Sequence, residues 1–314
     1  MRDLASKKAP GAFFDVDSGK RLPESFSASL PHRFADFVAL TKPRLNSLVI
    51  VTAAIGYYLG AGDSLDLPRL VESVAGIALV AGGAAGLNQI YERDTDSMMR
   101  RTRTRPLAAR RITPGEATIF STGLVTSGIV MVAATSNLLA AFLALLTVVS
   151  YNVIYTPMKR RSELATLVGA VPGALPPMIG WVAARGTLTL EPWALFAIVF
   201  VWQIPHFMAI AWLYRDDFGR AGFPLLPVVQ PDGRSTARQA VLFSLVLVPV
   251  SLAPYFLRMA GPAYAVGAVA GGVGLLWLAI SFALNRVDDR ARLLFLGSIT
   301  YLPLLWGMLI ADRL

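Results

Sequence analysis

Beyond residue 42 the chain alternates long apolar runs with short polar breaks. Runs of spanning length fall near 45–62, 70–91, 117–134, 138–156, 164–184, 191–212, 238–258, 264–284 and 292–311, and about 20 apolar residues in helical geometry cross a bilayer. The pattern predicts an all-α, polytopic membrane protein of about nine transmembrane helices over residues 43–314. The least marked break carries only Thr135, Ser136 and Asn137. Residues 1–42 read differently. They are polar, hold Pro10, Pro23 and Pro31, and contain no apolar signal-like core before residue 34. They predict a flexible cytoplasmic N-terminal arm that ends in an amphipathic lead-in, PHRFADFVALTKPR, along the membrane surface. His32 there reads as an ordinary interfacial residue.

Composition agrees: of 314 residues, 55% are hydrophobic and 16% charged, against about 25% charged in soluble domains. Mean hydropathy is +0.56. The net charge of +9 raises the question of nucleic acid, and its distribution answers it. With the N-terminus in the cytoplasm, the arm and the even-numbered connections hold all Lys and Arg except Arg69, Arg185, Arg258 and Arg313. That is the positive-inside bias, so the basic charge reports orientation and anion binding, with no nucleic-acid partner. With no cysteine and two histidines, thiolate metal sites and a histidine cluster are excluded.

Chemistry concentrates in Asn88–Arg111, NQIYERDTDSMMRRTRTRPLAARR. If the preceding helix continues, Asn88, Glu92 and Asp96 stack on one face at i, i+4 and i+8. Asp94 falls elsewhere on the wheel. Oxygen ligands on a rigid face suit Mg²⁺, which also takes substrate phosphates. The arginines that follow, Arg101 and Arg105 among them, match phosphate oxygens. A solvated helix end explains the arginines but not the acidic stripe. A second stretch, YNVIYTPMKRR (151–161), sets Tyr151 and Tyr155 one turn apart, with Lys159 beyond them. Pro157 is expected to break the helix, so that Lys159 need not share the tyrosines' face. The competing reading is an interfacial aromatic belt with a snorkelling lysine. A third, VWQIPHFMAIAWLYRDDFGRAGFPLLPVV (201–229), puts Pro205 inside a span, His206 below the surface, and Asp216 and Asp217 at the same membrane face as the acidic stripe. An intramembrane histidine is a functional candidate, although a hydrogen-bonded core histidine fits equally. FGRAGFPLLPVV reads as an ordered loop over the mouth. A secondary transporter would place its polar groups near the midplane. Here they gather at one face.

The motif Asn88-x-x-x-Glu92-x-x-Thr95-Asp96 followed by Arg101, Thr102 and Arg105 resembles the signature of the UbiA-type intramembrane prenyltransferases. YTPMKRR, WQIPHF and AGFPLLPVV resemble its haem-farnesylating branch. The likeness runs from about Lys42 to the C-terminus. It implies helices around a central cavity open sideways to lipid. It also implies Mg²⁺ and farnesyl diphosphate held by two acidic cytoplasmic loops, and farnesyl transfer to a vinyl group of haem B with a hydroxyl from water, giving haem O. On this reading Asn88, Glu92, Asp96 and Asp217 hold metal, and Arg101, Arg105 and Lys159 hold phosphate. Tyr151 and Tyr155 face the allylic cation, with Lys159 beside them as part of the catalytic set, and His206 contacts haem. Implied surroundings are a bacterial inner membrane, its lipid, and haem A synthase or terminal oxidase assembly partners. Another aromatic or tetrapyrrole acceptor is the alternative. Two positions depart from the pattern. Glu92 stands where aspartate is usual, and the second loop lacks D-x-x-x-D, since Leu213 and Ala221 flank Asp217 at four residues.

Overall fold

The computed structural model describes residues 30–314, with side chains from Arg33 onward. The arm expected over 1–42 therefore lies outside the described residues up to residue 29, as does the side chain of His32. The elements are helices throughout: α1 (Leu30–Leu40), α2 (Pro43–Ala61), α3 (Leu67–Met98), α4 (Pro114–Thr135) and α5 (Leu138–Val149). A π-helical turn (Ser150–Tyr155) leads into α6 (Thr156–Met158), then α7 (Ala165–Arg185), α8 (Leu190–Leu213), α9 (Arg215–Arg220) and α10 (Leu226–Val229). The last are α11 (Arg234–Val250), α12 (Ala253–Phe256), α13 (Pro262–Leu284) and α14 (Asp288–Ala311). Among the described residues eight helical segments are long and apolar enough to cross a membrane, and α1 with α2, bent by 48°, supplies a ninth. Each predicted run falls on one of them, and the protein is an integral membrane protein.

The helix ends follow local chemistry. Proline opens α2, α3 and α4, where a missing N–H costs nothing. Asp66 caps α3 by accepting from the Arg69 N–H at 3.1 Å, and Thr113 with Glu116 forms a capping box on α4. The weakly marked break near residue 136 is made by Asn137. Its Oδ1 accepts from the Ala140 N–H at 2.9 Å, and its Nδ2 donates to the Val182 carbonyl of α7 at 2.8 Å.

Two groups of helices result. α2, α3, α4, α5 and α7 pack together, as do α8, α11, α13 and α14. The groups join where α7 lies along α8, whereas α2 and α14 touch only sparingly. In lipid, helices associate through close packing rather than hydrophobic exclusion, and α2 against α7 illustrates it. A Cβ on Gly56 would stand 1.9 Å from the Pro177 carbonyl oxygen, and one on Gly180 1.9 Å from that of Ala53. The helix α1 lies across α3 and α4. Gln89 donates to the Leu40 carbonyl at 2.7 Å, Arg111 pairs with Asp36 at 3.0 Å, and Arg33 pairs with Glu116. A lateral apolar cavity of about 740 Å³ opens among α1–α4, lined by Phe34, Phe37, Ile50, Leu79, Phe120 and Leu124.

Gly180→Val must separate α2 from α7, and the overpacking should cost about 1–3 kcal/mol, read as a lowered thermal midpoint in detergent. Gly123→Ala, which meets nothing within 4 Å, should leave the midpoint unchanged or slightly raised.

Candidate active site at the polar end of the bundle

α3 does continue through the acidic stretch, to Met98. Asn88, Glu92 and Asp96 consequently lie on one face and are all buried, at 1%, 5% and 1% exposure. Asp94 points out to solvent beside Arg93. Each inward group is engaged by a cation. Lys42 Nζ donates to Asn88 Oδ1 at 2.9 Å. Lys159 Nζ donates to Glu92 Oε1 at 2.8 Å. Arg105 Nη1 reaches both Asp96 oxygens, at 2.8 and 2.7 Å. Burying a charge is costly unless it is paired and hydrogen-bonded, and these three contacts are what allow polar groups to sit at the end of an apolar bundle.

Lys159 reaches Glu92 because Pro157 does not break the helix, contrary to the expectation from sequence. The backbone widens into the π-helical turn, in which the Thr156 N–H bonds to the Tyr151 carbonyl. Single π turns of this kind are frequent at functional sites. Helical bonding resumes with Lys159 N–H to the Tyr155 carbonyl at 3.0 Å. Lys159 therefore does share the tyrosines' face, with Nζ 5.2 Å from the Tyr155 ring centroid. The two tyrosine rings lie 5.6 Å apart, tilted by 30°. Tyr155 fits because residue 169 is glycine: a Cβ there would fall 2.4 Å from the ring. Thr156 ties this turn to α3, accepting from Asn88 Nδ2 at 3.1 Å and donating to the Tyr151 carbonyl at 2.8 Å. Burial disfavours the Lys159 ammonium, but Tyr155 and the Glu92 carboxylate outweigh that and hold its pKa above the ordinary value.

The second acidic segment closes over the first. Met99 packs with Phe218, Ala221 and Phe223. The Arg101 guanidinium lies 5.0 Å from the Tyr214 ring and 5.8 Å from that of Phe218, and Lys159 Nζ lies 5.6 Å from the Phe223 ring. Asp217 is buried while Asp216 is exposed, and Arg220 pairs with Asp217. Loop 214–229 thus covers the mouth. His206 stands apart from this charge cluster, on α8 and against α14, where Nδ1 lies 2.8 Å from Ser298 Oγ.

Four participants escaped the sequence. Lys42 was counted only as topological charge. It occupies the left-handed region at φ 48°, in the bend between α1 and α2, and turns into the site; a basic residue just before the proline that opens a span was the available signal. Thr156 and Ser298 act through contacts between distant segments, and Arg220 pairs with Asp217 one turn away in the short helix α9, where the sequence predicts loop.

Among the described residues no three His, Cys, Asp or Glu groups come close enough to cage a metal by themselves. That suits Mg²⁺, which commonly takes one or two carboxylates and completes its shell with water and substrate phosphates. The donors on α3 are all oxygen, and cations stand beside them for the phosphates, so the residues fit a metal shared with a diphosphate.

The model of the UbiA prenyltransferase family matches residues 49–311. A protoheme IX farnesyltransferase of Solibacter usitatus (strain Ellin6076) is 46% identical over 287 residues, covering 88% of this chain and 98% of that protein. One from Koribacter versatilis (strain Ellin345) is 43% identical over 289 residues, covering 88% and 93%. The fold resembles a digeranylgeranylglyceryl phosphate synthase structure at TM-score 0.76, with 15% identity and coverage of 90% and 98%. A UbiA homologue from Archaeoglobus fulgidus, bound to GPP and Mg²⁺, matches at TM-score 0.65 with 16% identity, covering 88% and 99%.

Removing Lys159 alone strands Glu92, and breaking a buried pair costs about 3–5 kcal/mol. Lys159→Met should therefore lower the thermal midpoint clearly. Adding Glu92→Gln should restore most of the loss without restoring turnover.

Proposed function

This chain belongs to the UbiA prenyltransferase family, and we propose that it transfers farnesyl from farnesyl diphosphate to a vinyl group of haem B, making haem O. The observation that carries the reading is Lys159, which joins Glu92, the Tyr155 ring and the Phe223 loop at a single point. A cation there meets an anionic leaving group from above, while the aromatic wall below receives the positive charge left behind.

In this reaction the C–O bond to diphosphate breaks, farnesyl C1 bonds to the terminal vinyl carbon, and water captures the adjoining carbon and loses a proton. Arg101, Arg105 and Lys159 hold the diphosphate and take up charge as it departs. Each already lies at the mouth, so little reorganisation is needed. Tyr151 and Tyr155 present ring faces to the allylic cation. Loop 214–229 keeps water out until the carbon–carbon bond has formed. Asn88, Glu92 and Asp96, with Asp217 from the covering loop, are the groups that would hold Mg²⁺; when bound, the ion supplies further charge stabilisation to the leaving group. His206 is assigned to the haem. We place the protein in a bacterial inner (plasma) membrane in preference to a mitochondrial inner membrane, with the N-terminus and both acidic segments cytoplasmic. Its product would pass to haem A synthase or to terminal oxidase assembly.

Membranes holding the wild type, supplied with farnesyl diphosphate, Mg²⁺ and haem B, should yield a haem heavier by farnesyl plus water on mass spectrometry. Asp96→Ala should reduce the rate by about 100-fold or more, in the range seen when a charge-stabilising group is lost. No product from wild type, or equal product from Asp96→Ala, would overturn the reading.

A further inference from the structure

His206 sits in α8 immediately after Pro205, in the seam with α14. Its Nδ1 lies 2.8 Å from Ser298 Oγ, and that same oxygen lies 2.6 Å from the Phe295 carbonyl. A hydroxyl has one hydrogen and a carbonyl can only accept, so the serine hydrogen goes to Phe295. The imidazole must then donate from Nδ1 to Ser298, which places the proton of the neutral ring on Nδ1 and leaves the Nε2 lone pair free. The ring is also fixed in orientation. Trp202 stacks on it at 5.0 Å and Phe295 at 5.1 Å, and Trp202 Nε1 donates to the Ser298 carbonyl at 2.8 Å. Nε2 has no hydrogen-bond partner among the described residues, and the side chain is only partly buried.

A neutral imidazole whose Nδ1–H is locked by an acceptor, with Nε2 exposed, is the second-shell arrangement of a metal-ligating histidine. We propose that His206 Nε2 is the axial ligand to the iron of the haem acceptor and that Ser298 is the residue that positions it. This rests on the haem reading above and deepens it. Depth agrees: seven residues separate His206 from the end of α8 at Leu213, about 10 Å at 1.5 Å per residue. The iron would thus lie about two turns from the end of α8 that faces the covering loop. A plain core histidine explains the contact to Ser298 but gives no reason for an unpartnered Nε2.

The test uses the full chain in lipid nanodiscs, titrated with ferric haem B and, separately, with metal-free protoporphyrin IX. The wild type should bind haem with a histidine-ligated Soret and EPR signature. His206→Ala should lose that signature and bind haem at least ten-fold more weakly, yet bind the metal-free porphyrin within two-fold of wild type. Ser298→Ala should keep the signature and weaken haem two- to ten-fold. Imidazole should restore the signature in His206→Gly. If the histidine variants fold poorly, ¹⁵N-histidine labelling of His32→Ala leaves His206 as the one labelled residue, and its iron–nitrogen vibration should shift. Equal haem spectra and affinities in wild type and His206→Ala, or no isotope shift, would overturn the ligation while leaving the haem reading in place. A wild type that binds neither haem nor porphyrin would overturn both.

Discussion

A carboxylate drawn into the end of an apolar bundle must carry its own counter-charge, and the architecture of this protein's polar end follows from that. Glu92 and Asp96 are nearly without solvent, and an isolated ion in such surroundings would cost several kcal/mol. Lys159 and Arg105 meet them at hydrogen-bonding distance, and Lys42 meets Asn88. To deliver these cations, three distant segments have to converge: the bend after α1, the π-helical turn after α5, and the loop after α3. The covering loop repeats the device with Arg220 and Asp217.

On the proposed function these pairs also set how the site would work. Each cation that now neutralises an acid is one that a diphosphate would attract, and each acid is one that a divalent metal would attract. Binding metal and diphosphate together would exchange internal pairs for external ones and keep the local charge near balance. Neither ligand alone can do so, since a metal without phosphate crowds the cations and a phosphate without metal crowds the acids.

The helices were legible because apolar length is written into each run, and the acidic face of α3 because a spacing of four survives as long as the helix does. The resemblance makes Asp217 the ligand of the second segment, although the D-x-x-x-D pattern is missing there; the structure turns Asp217 inward and leaves Asp216 exposed. What could not be read depended on a backbone departure or on contact across the chain. Pro157 signals a break wherever helical bonding is strictly regular; a π turn removes the conflict and returns Lys159 to the tyrosines, and nothing local encodes that turn. Lys42 looked like one more cytoplasmic charge until its left-handed backbone turned it inward. Ser298 is 92 residues from His206, so only tertiary structure could join them.

The account's central claim is that Lys159 and Arg105 exchange carboxylate for phosphate when the site fills. The most direct measurement is an experimental structure with Mg²⁺ and a non-reactive farnesyl thiolodiphosphate. Lys159 Nζ and an Arg105 guanidinium nitrogen should move to hydrogen-bonding distance of diphosphate oxygens, with Mg²⁺ bridging the diphosphate to Glu92 or Asp96. If the diphosphate binds while Lys159 stays on Glu92 and Arg105 on Asp96, with the metal elsewhere, the pairs are purely structural and the account is wrong.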